Sequence, residues 1–262
     1  MRSISLSMTV LVTLAACSGT NSEEDTSSIE ELAAATSALT GTPEDDFAFD
    51  EADNTISIAG DDALSPTTNT SISVPASFVA YSDDMDSILA IRGVTASGDG
   101  EVAIYSDGSA ALTGAFAARL EDTTVPTAGR LVYDGDYVGI LRDTGTGDIT
   151  HTVTGVAQLV AHFDDGNISG NISIRRASEL DETETRPLDT LFLDSTALTN
   201  GAFAGTTGGG GFSTSAAGAE DGVYSGLIVG SDGDELVGNI NINHTTNGIV
   251  TGQEVGAIIA AE

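Results

Sequence analysis

The stretch from Gly222 to Glu262 constrains the fold most. Gly222-Val223-Tyr224-Ser225-Gly226 opens a strand that ends near Gly230, the chain turns at Asp232-Gly233, and a second strand leaves from Glu235. Asp-Gly between two apolar runs is a hairpin signal, because Gly accepts the positive φ of a tight turn. In the second strand Leu236, Gly238, Ile240 and Ile242 share one parity, and Val237, Asn239, Asn241 and Asn243 share the other. Alternation with period two describes a strand with one buried and one wet face. The first set is therefore expected inside and the second in water.

The same phrases recur upstream. Gly135-Asp136-Tyr137-Val138-Gly139 echoes Gly222 to Gly226, Gly170-Asn171-Ile172-Ser173-Ile174 echoes Gly238 to Ile242, and Gly201-Ala202-Phe203-Ala204 repeats Gly114 to Ala117. Such repeats at irregular spacing suggest one sheet of similar hairpins rather than a solenoid. Leu131, Tyr133, Gly135, Tyr137, Gly139 and Leu141 form one face of a first strand; Val153, Gly155, Ala157, Leu159, Ala161 and Phe163 form one face of a second. After the turn Asp164-Asp165-Gly166-Asn167, a third places Ile168, Gly170, Ile172 and Ile174 on one side. A fourth runs near Leu188 to Ser195 and a fifth near Gly201 to Gly205. The opening hairpin supplies the sixth and seventh, and Glu254 to Ala261 the eighth. In the eighth, Val255, Ile258 and Ile259 disagree on parity, and its buried face stays undecided. Eight antiparallel strands in hairpin order close into an up-and-down barrel, which removes exposed edges.

Upstream, Phe47 to Leu120 reads as short strands at Thr55 to Ile58, Ser71 to Val74, Phe78 to Tyr81, Ser87 to Val94, Glu101 to Tyr105 and Ala110 to Leu120, with a turn at Asp107-Gly108. Glu121 to Ala128 is the linker. The fold class is thus all-β. An eight-stranded antiparallel barrel over 129–262 follows a small β module over 47–125 and a flexible tether over 17–46. The tether, rich in Ser, Thr, Glu and Ala, cannot bury enough apolar surface to offset chain entropy.

Residues 1–16 read as a secretory signal: a basic start, then an uncharged, mostly apolar run too short to span a membrane as a final anchor. It ends Leu14-Ala15-Ala16-Cys17, which resembles the lipobox of bacterial lipoproteins, and Cys17 is the only cysteine. The resemblance implies cleavage before Cys17 and acylation of that residue, palmitate included. Ser18, rather than Asp, looks like an outer-membrane sorting choice. Several acyl chains on one residue suffice for stable anchoring.

The net charge is −32, and all eight basic residues are Arg. Nucleic acid and anionic membrane surfaces are repelled by such a chain, so contact with the membrane is expected through the lipid anchor only. Catalytic and cofactor motifs do not emerge. Ser225 is out of frame for a nucleophile elbow; Gly208 to Gly211 lacks the lysine of a phosphate loop; Asp232-Gly233-Asp234-Glu235 lacks calcium-loop spacing. His151, His162 and His244 lack metal-site spacing. By parity His151 and His244 share a face with apolar residues near strand ends, where a haem or metal at a barrel mouth is conceivable, but nothing else converges there and a structural role is preferred. Aromatic residues, at 5%, are too few for the girdles of an outer-membrane pore. Neither enzyme, cofactor nor metal site is expected.

At Gly226 to Gly238 the chain resembles the β-barrel domain of transferrin-binding protein B and related surface lipoproteins of Gram-negative bacteria. Gly230, Asp234, Glu235 and Gly238 match that family's Gly-x-Phe-Tyr-Gly-Pro-x-Ala-Glu-Glu-x-Gly-Gly phrase, while Ser231, Gly233 and Val237 depart from it. Gly135 to Gly139 and Thr251-Gly252 to Gly256-Ala257 also look like this family. The resemblance implies a surface-anchored barrel behind a small β handle, often binding a host or environmental protein, or haem. Two lobes are usual there and this chain has room for one, so transferrin is not carried over. The reading is of a monomeric, outer-membrane, non-catalytic lipoprotein that binds an unidentified protein. A haem or solute carrier and a structural envelope protein are the alternatives. The barrel interior is expected to be packed and to hold no charged group with an evident partner. Binding is assigned to the loops Ser178 to Arg186 and Thr206 to Asp221, with charge guiding encounter.

Overall fold

A computed structural model describes residues 47–58, 63–83, 87–107, 113–180, 185–208, 221–246 and 249–262. Residues 1–46, with the signal, Cys17 and the tether, lie outside them, as do Gly108 of the expected turn and most of the Thr206 to Asp221 loop. Every element among the described residues is a β-strand: β1 (Phe47–Asp50), β2 (Thr55–Ile58), β3 (Ser65–Pro66), β4 (Phe78–Ser82), β5 (Ile88–Val94), β6 (Gly100–Asp107), β7 (Thr113–Arg119), β8 (Arg130–Asp143), β9 (Ile149–His162), β10 (Asn167–Glu179), β11 (Thr185–Pro187), β12 (Leu191–Thr199), β13 (Ala202–Gly208), β14 (Asp221–Val229), β15 (Glu235–Thr246) and β16 (Ile249–Ala261).

Strands β8, β9, β10, β12, β13, β14, β15 and β16 pair in that order, all antiparallel, and β16 returns to β8 through ten register pairs from Gly252↔Asp143 to Ala261↔Asp134. The result is the expected closed eight-stranded up-and-down barrel. Strand β11, in what the sequence suggested was a loop, pairs with the end of β10. The β14–β15 hairpin turns as expected, with the Gly233 amide donating to the Gly230 carbonyl at 3.1 Å.

The barrel is filled by its own inward residues. Tyr133, Tyr137, Leu141, Val153, Ala157, Leu159, Ala161, Ile168, Ile172, Leu236, Ile240 and Ile242 all lie in one buried cluster, so the expected inner faces of β8, β9 and β15 hold.

The small module packs on the outside of the wall. Strands β3 to β7 form an antiparallel five-stranded sheet. One face of it (Phe78, Leu89, Ile91, Val102 and Ile104) forms a second core with Val138, Val229, Val237, Val255, Ala257 and Ile259 of the barrel. Its other face is covered by the β1–β2 hairpin, through Ile56 and Ile58 against Tyr81, Ala90 and Tyr105. Polar ties fasten the contact. Arg119 donates to the carbonyls of Ile228 (2.9 Å) and Asn200 (2.7 Å), and the Ser97 amide donates to Glu235 at 3.0 Å.

This sheet overturns one expectation and resolves another. Val237 and Asn239 were assigned to water, but the module buries both, and Asn239 Oδ1 accepts from the Ser225 hydroxyl at 2.9 Å. The conflict in β16 dissolves because both its faces are covered: Ile258 lies in the barrel, and Val255 and Ile259 lie under the sheet. Ser71 to Val74 is not a strand. Asn69 accepts the Ser71 amide on its side chain (2.9 Å) and the Ile72 amide on its carbonyl (3.3 Å), which closes a turn there.

Candidate functional site

The inward face of β10 changes hands midway. Ser173 pairs with Val156, and the next pair is Arg176 with Thr154, so Ile174 and Arg175 together face the single residue Gly155. One extra residue of this kind is a β-bulge, and it shifts the parity of everything beyond it. Ile174 was expected inside; instead it is 67% exposed with φ of 53°, a conformation that β-branched residues rarely adopt. Arg175 takes its place and is only 1% exposed.

Inside, the Arg175 Nη2 group donates to Glu254 Oε2 at 2.7 Å, and Glu254 is fully buried. His244 Nε2 donates to the same oxygen at 2.7 Å, and the Tyr137 hydroxyl donates to Oε1 at 2.5 Å. The expectation of an interior without partnered charges is thereby corrected. Burial pushes the Glu254 carboxyl upward, but Arg175, His244 and Tyr137 outweigh it and hold its pKa down to about 2. A carboxylate already accepting three donors and held this acidic is suited to positioning, not to taking a proton.

Glycines make room for the network. A Cβ at Gly256 would meet the Tyr137 hydroxyl oxygen at 2.2 Å; one at Gly139 would meet Glu254 Oε1 at 2.9 Å; one at Gly155 would meet Arg175 Cγ at 3.2 Å. The inner-face glycines, legible in the sequence as small positions, are thus where large polar groups cross the barrel.

Above this network the barrel opens at one end. The end of β8 and the starts of β9 and β16 meet there. The connections from β10 to β12, from β13 to β14 and from β15 to β16 leave from the same end. Both loops singled out in the sequence therefore spring from one mouth. A cleft of about 250 Å³ lies in it, lined among others by Arg142, Asp143, His151, Arg186, His244 and Thr251. His151 and His244 do meet at a barrel mouth; His162 is at the far end of β9, paired with Arg130 and Asn167.

Each cleft side chain is held. Arg186 Nη2 hydrogen-bonds His151 Nε2. A guanidinium only donates, so that ring nitrogen is the acceptor and the imidazole proton sits on the other nitrogen. Burial first, and Arg186 second, push the His151 pKa down, in keeping with a neutral ring. Glu179 lies 3.5 Å from the same nitrogen, a contact that becomes an ion pair only if the ring is charged. Arg142 Nε donates to Gln253 Oε1 at 2.9 Å, and Gln253 Nε2 donates to Asn241 Oδ1 at 3.1 Å. Sequence reasoning missed Arg142, Arg175 and Glu254. For Arg175 the cause is the bulge, seen only in the structure, where inward Ile172 and inward Ala177 differ in parity.

No protein family matches the chain, and no curated protein matches it. Among solved structures it is similar to a single mutant of the vaccine antigen transferrin binding protein B from Haemophilus parasuis Hp5, at 14% identity and a TM-score of 0.46, over 80% of this chain and 41% of that one. A double mutant of the same antigen aligns at 13% identity and a TM-score of 0.43, over 81% and 43%. The isotype 1 transferrin binding protein B of serogroup B Neisseria meningitidis aligns at 13% and 0.39, over 79% and 37%, so the chain spans less than half the length of each of these three structures.

Proposed function

We propose that this chain is a non-catalytic lipoprotein of the outer membrane that binds a protein partner through the loop end of its barrel. On this reading residues 1–16 are removed, Cys17 is acylated, 17–46 is a tether, and a small module over 47–125 supports a monomeric barrel over 129–262. One observation carries the proposal: the strand ends from which the two loops leave, the cleft and two exposed apolar residues, Ile249 and Val250, share one mouth, above an interior filled with side chains. Exposed apolar residues beside charged ones are what a docking surface needs. A haem carrier is not favoured, since the cleft of about 250 Å³ falls below the roughly 300–1,000 Å³ of pockets for drug-sized ligands.

A photo-crosslinking residue at Ile249, in intact cells, tests the reading against the same residue at Asp165, exposed in the β9–β10 turn at the opposite end. A discrete adduct from position 249, absent from position 165 and weakened by salt, is expected. Equal labelling from both ends, or none, refutes docking at this mouth. Anchoring is tested separately: Cys17→Ser is expected to leave a soluble, unacylated precursor, and retention in washed membranes refutes acylation at Cys17.

A further inference from the structure

The five-stranded sheet ends in two unlike edges. At one, β3 is only two residues long and carries Pro66, which cannot donate to a further strand. At the other, β7 runs seven residues, Thr113-Gly114-Ala115-Phe116-Ala117-Ala118-Arg119, in unbroken register with β6. None of the chain's 40 acidic residues stands on it, nor any proline. Its one charge, Arg119, lies at its end and is held by the carbonyls of Asn200 and Ile228. Every second amide of such a strand points away from its partner, and among the described residues no strand pairs with that side of β7. A flat, uncharged edge of this length recruits another strand unless something covers it.

Two observations point to what covers it. Strand β7 lies over β14 and β15 of the barrel. On the next wall strand, β13, Ala202 packs into the second core, and Ala204 and Thr206, of the same parity, are exposed. A strand added to β7 would continue the sheet over β13, where small side chains meet small ones. The chain itself arrives at this edge: Phe47, the first described residue, sets its ring 4.6 Å from that of Phe116 in the middle of β7. Between Cys17 and Phe47 the longest uncharged run is Leu32 to Pro43. Within it Ala33-Ala34-Ala35-Thr36-Ser37-Ala38-Leu39 matches β7 in length and in small residues. The turn formers Gly41, Pro43, Asp45 and Asp46 follow. Residues 41–46 reach at most about 20 Å, twice the roughly 10 Å between packed sheets. That is enough to pass from the edge of the sheet to the β1–β2 hairpin layered on it.

We propose that residues 33–39 add to the β7 edge as a sixth strand of this sheet, leaving Ser18 to Leu32 as the tether. The proposal is independent of docking at the mouth and of acylation at Cys17. Hydrogen exchange of the mature full-length chain in detergent, resolved residue by residue, tests it. Alternate amides within 33–39, and the β7 amides that point away from β6, are expected to exchange at least about ten-fold more slowly than in an unstructured chain. Thr36→Pro/Ser37→Pro removes a donor whichever way the amides of the added strand alternate. It is expected to bring both sets to near unstructured rates, while the β7 amides that donate to β6 stay protected. Ser22→Pro, upstream of the segment, is expected to change neither set. Unstructured rates over 33–39 in the unsubstituted protein overturn the proposal, as does equal loss of protection in Ser22→Pro. Edge protection on β7 that survives Thr36→Pro/Ser37→Pro also overturns it, and assigns the edge to another occupant, residues 209–220 or a strand of a partner.

Discussion

Replacing Arg175 with Met removes one charge from the barrel interior while keeping most of the packed stem. Arg175 and Glu254 are 1% and 0% exposed and 2.7 Å apart, so water cannot reach the carboxylate left behind. Removing one partner of a buried ion pair costs about 3–5 kcal/mol. Tyr137 and His244 still donate to Glu254, which places Arg175→Met near the lower bound, about 3 kcal/mol. In a chain of this size that lowers the thermal midpoint by roughly 6–12 °C, at about 2–4 °C per kcal/mol. Adding Glu254→Gln to the same chain removes the stranded charge while keeping an oxygen to accept from Tyr137. The double variant should recover more than half of the loss, in a double-mutant cycle followed by urea unfolding at neutral pH. The pH dependence supplies a second readout. The native pKa of Glu254, about 2, lies below its ordinary 4.5. Between those values the unfolded chain binds more protons than the native one. The stabilisation from this group is complete above about pH 4.5 and is lost as pH falls toward 2. Glu254→Gln should therefore flatten the acid limb relative to the wild type. A loss below about 1 kcal/mol for Arg175→Met, far under the range for a broken buried pair, or a double variant as unstable as the sum of the singles, refutes the account of a stranded charge.

Other consequences are as direct. Ile172→Asp and Ile240→Asp, at equivalent inner positions, should each forfeit about 1.5–3 kcal/mol of burial and bury an uncompensated carboxyl; equal midpoints for these and the wild type would show that the strand parity is wrong. Asn239→Asp should now destabilise by more than Asn171→Asp, because Asn239 is buried against Ser225 while Asn171 is half-buried; urea midpoints in the reverse order would refute it. Ile174→Gly should stabilise by about 1 kcal/mol, since the positive φ is strained for Ile and free for Gly; a lowered midpoint would mean that the exposed Ile174 side chain contributes more than its backbone loses.

The eight barrel strands and the inward sets of β8, β9 and β15 were legible because period-two alternation and hairpin turns are local properties of the chain. The glycines at 139, 155 and 256 were legible as small positions, but what they admit was not. Three decisions belonged to the tertiary structure. Alternation tells which residues share a face, not what lies against it, so Val237 and Asn239 read as wet until the five-stranded sheet covered them. A bulge moves a strand's parity by one residue with no required sequence mark, which is how Ile174 went out and Arg175 in. The pairing of Arg175 with Glu254, 79 positions apart, exists only because closing the barrel brings β10 and β16 to face each other across its interior. A buried charge is tolerable only where another chain segment delivers its partner, and that delivery depends on the register of the closed barrel rather than on either strand alone.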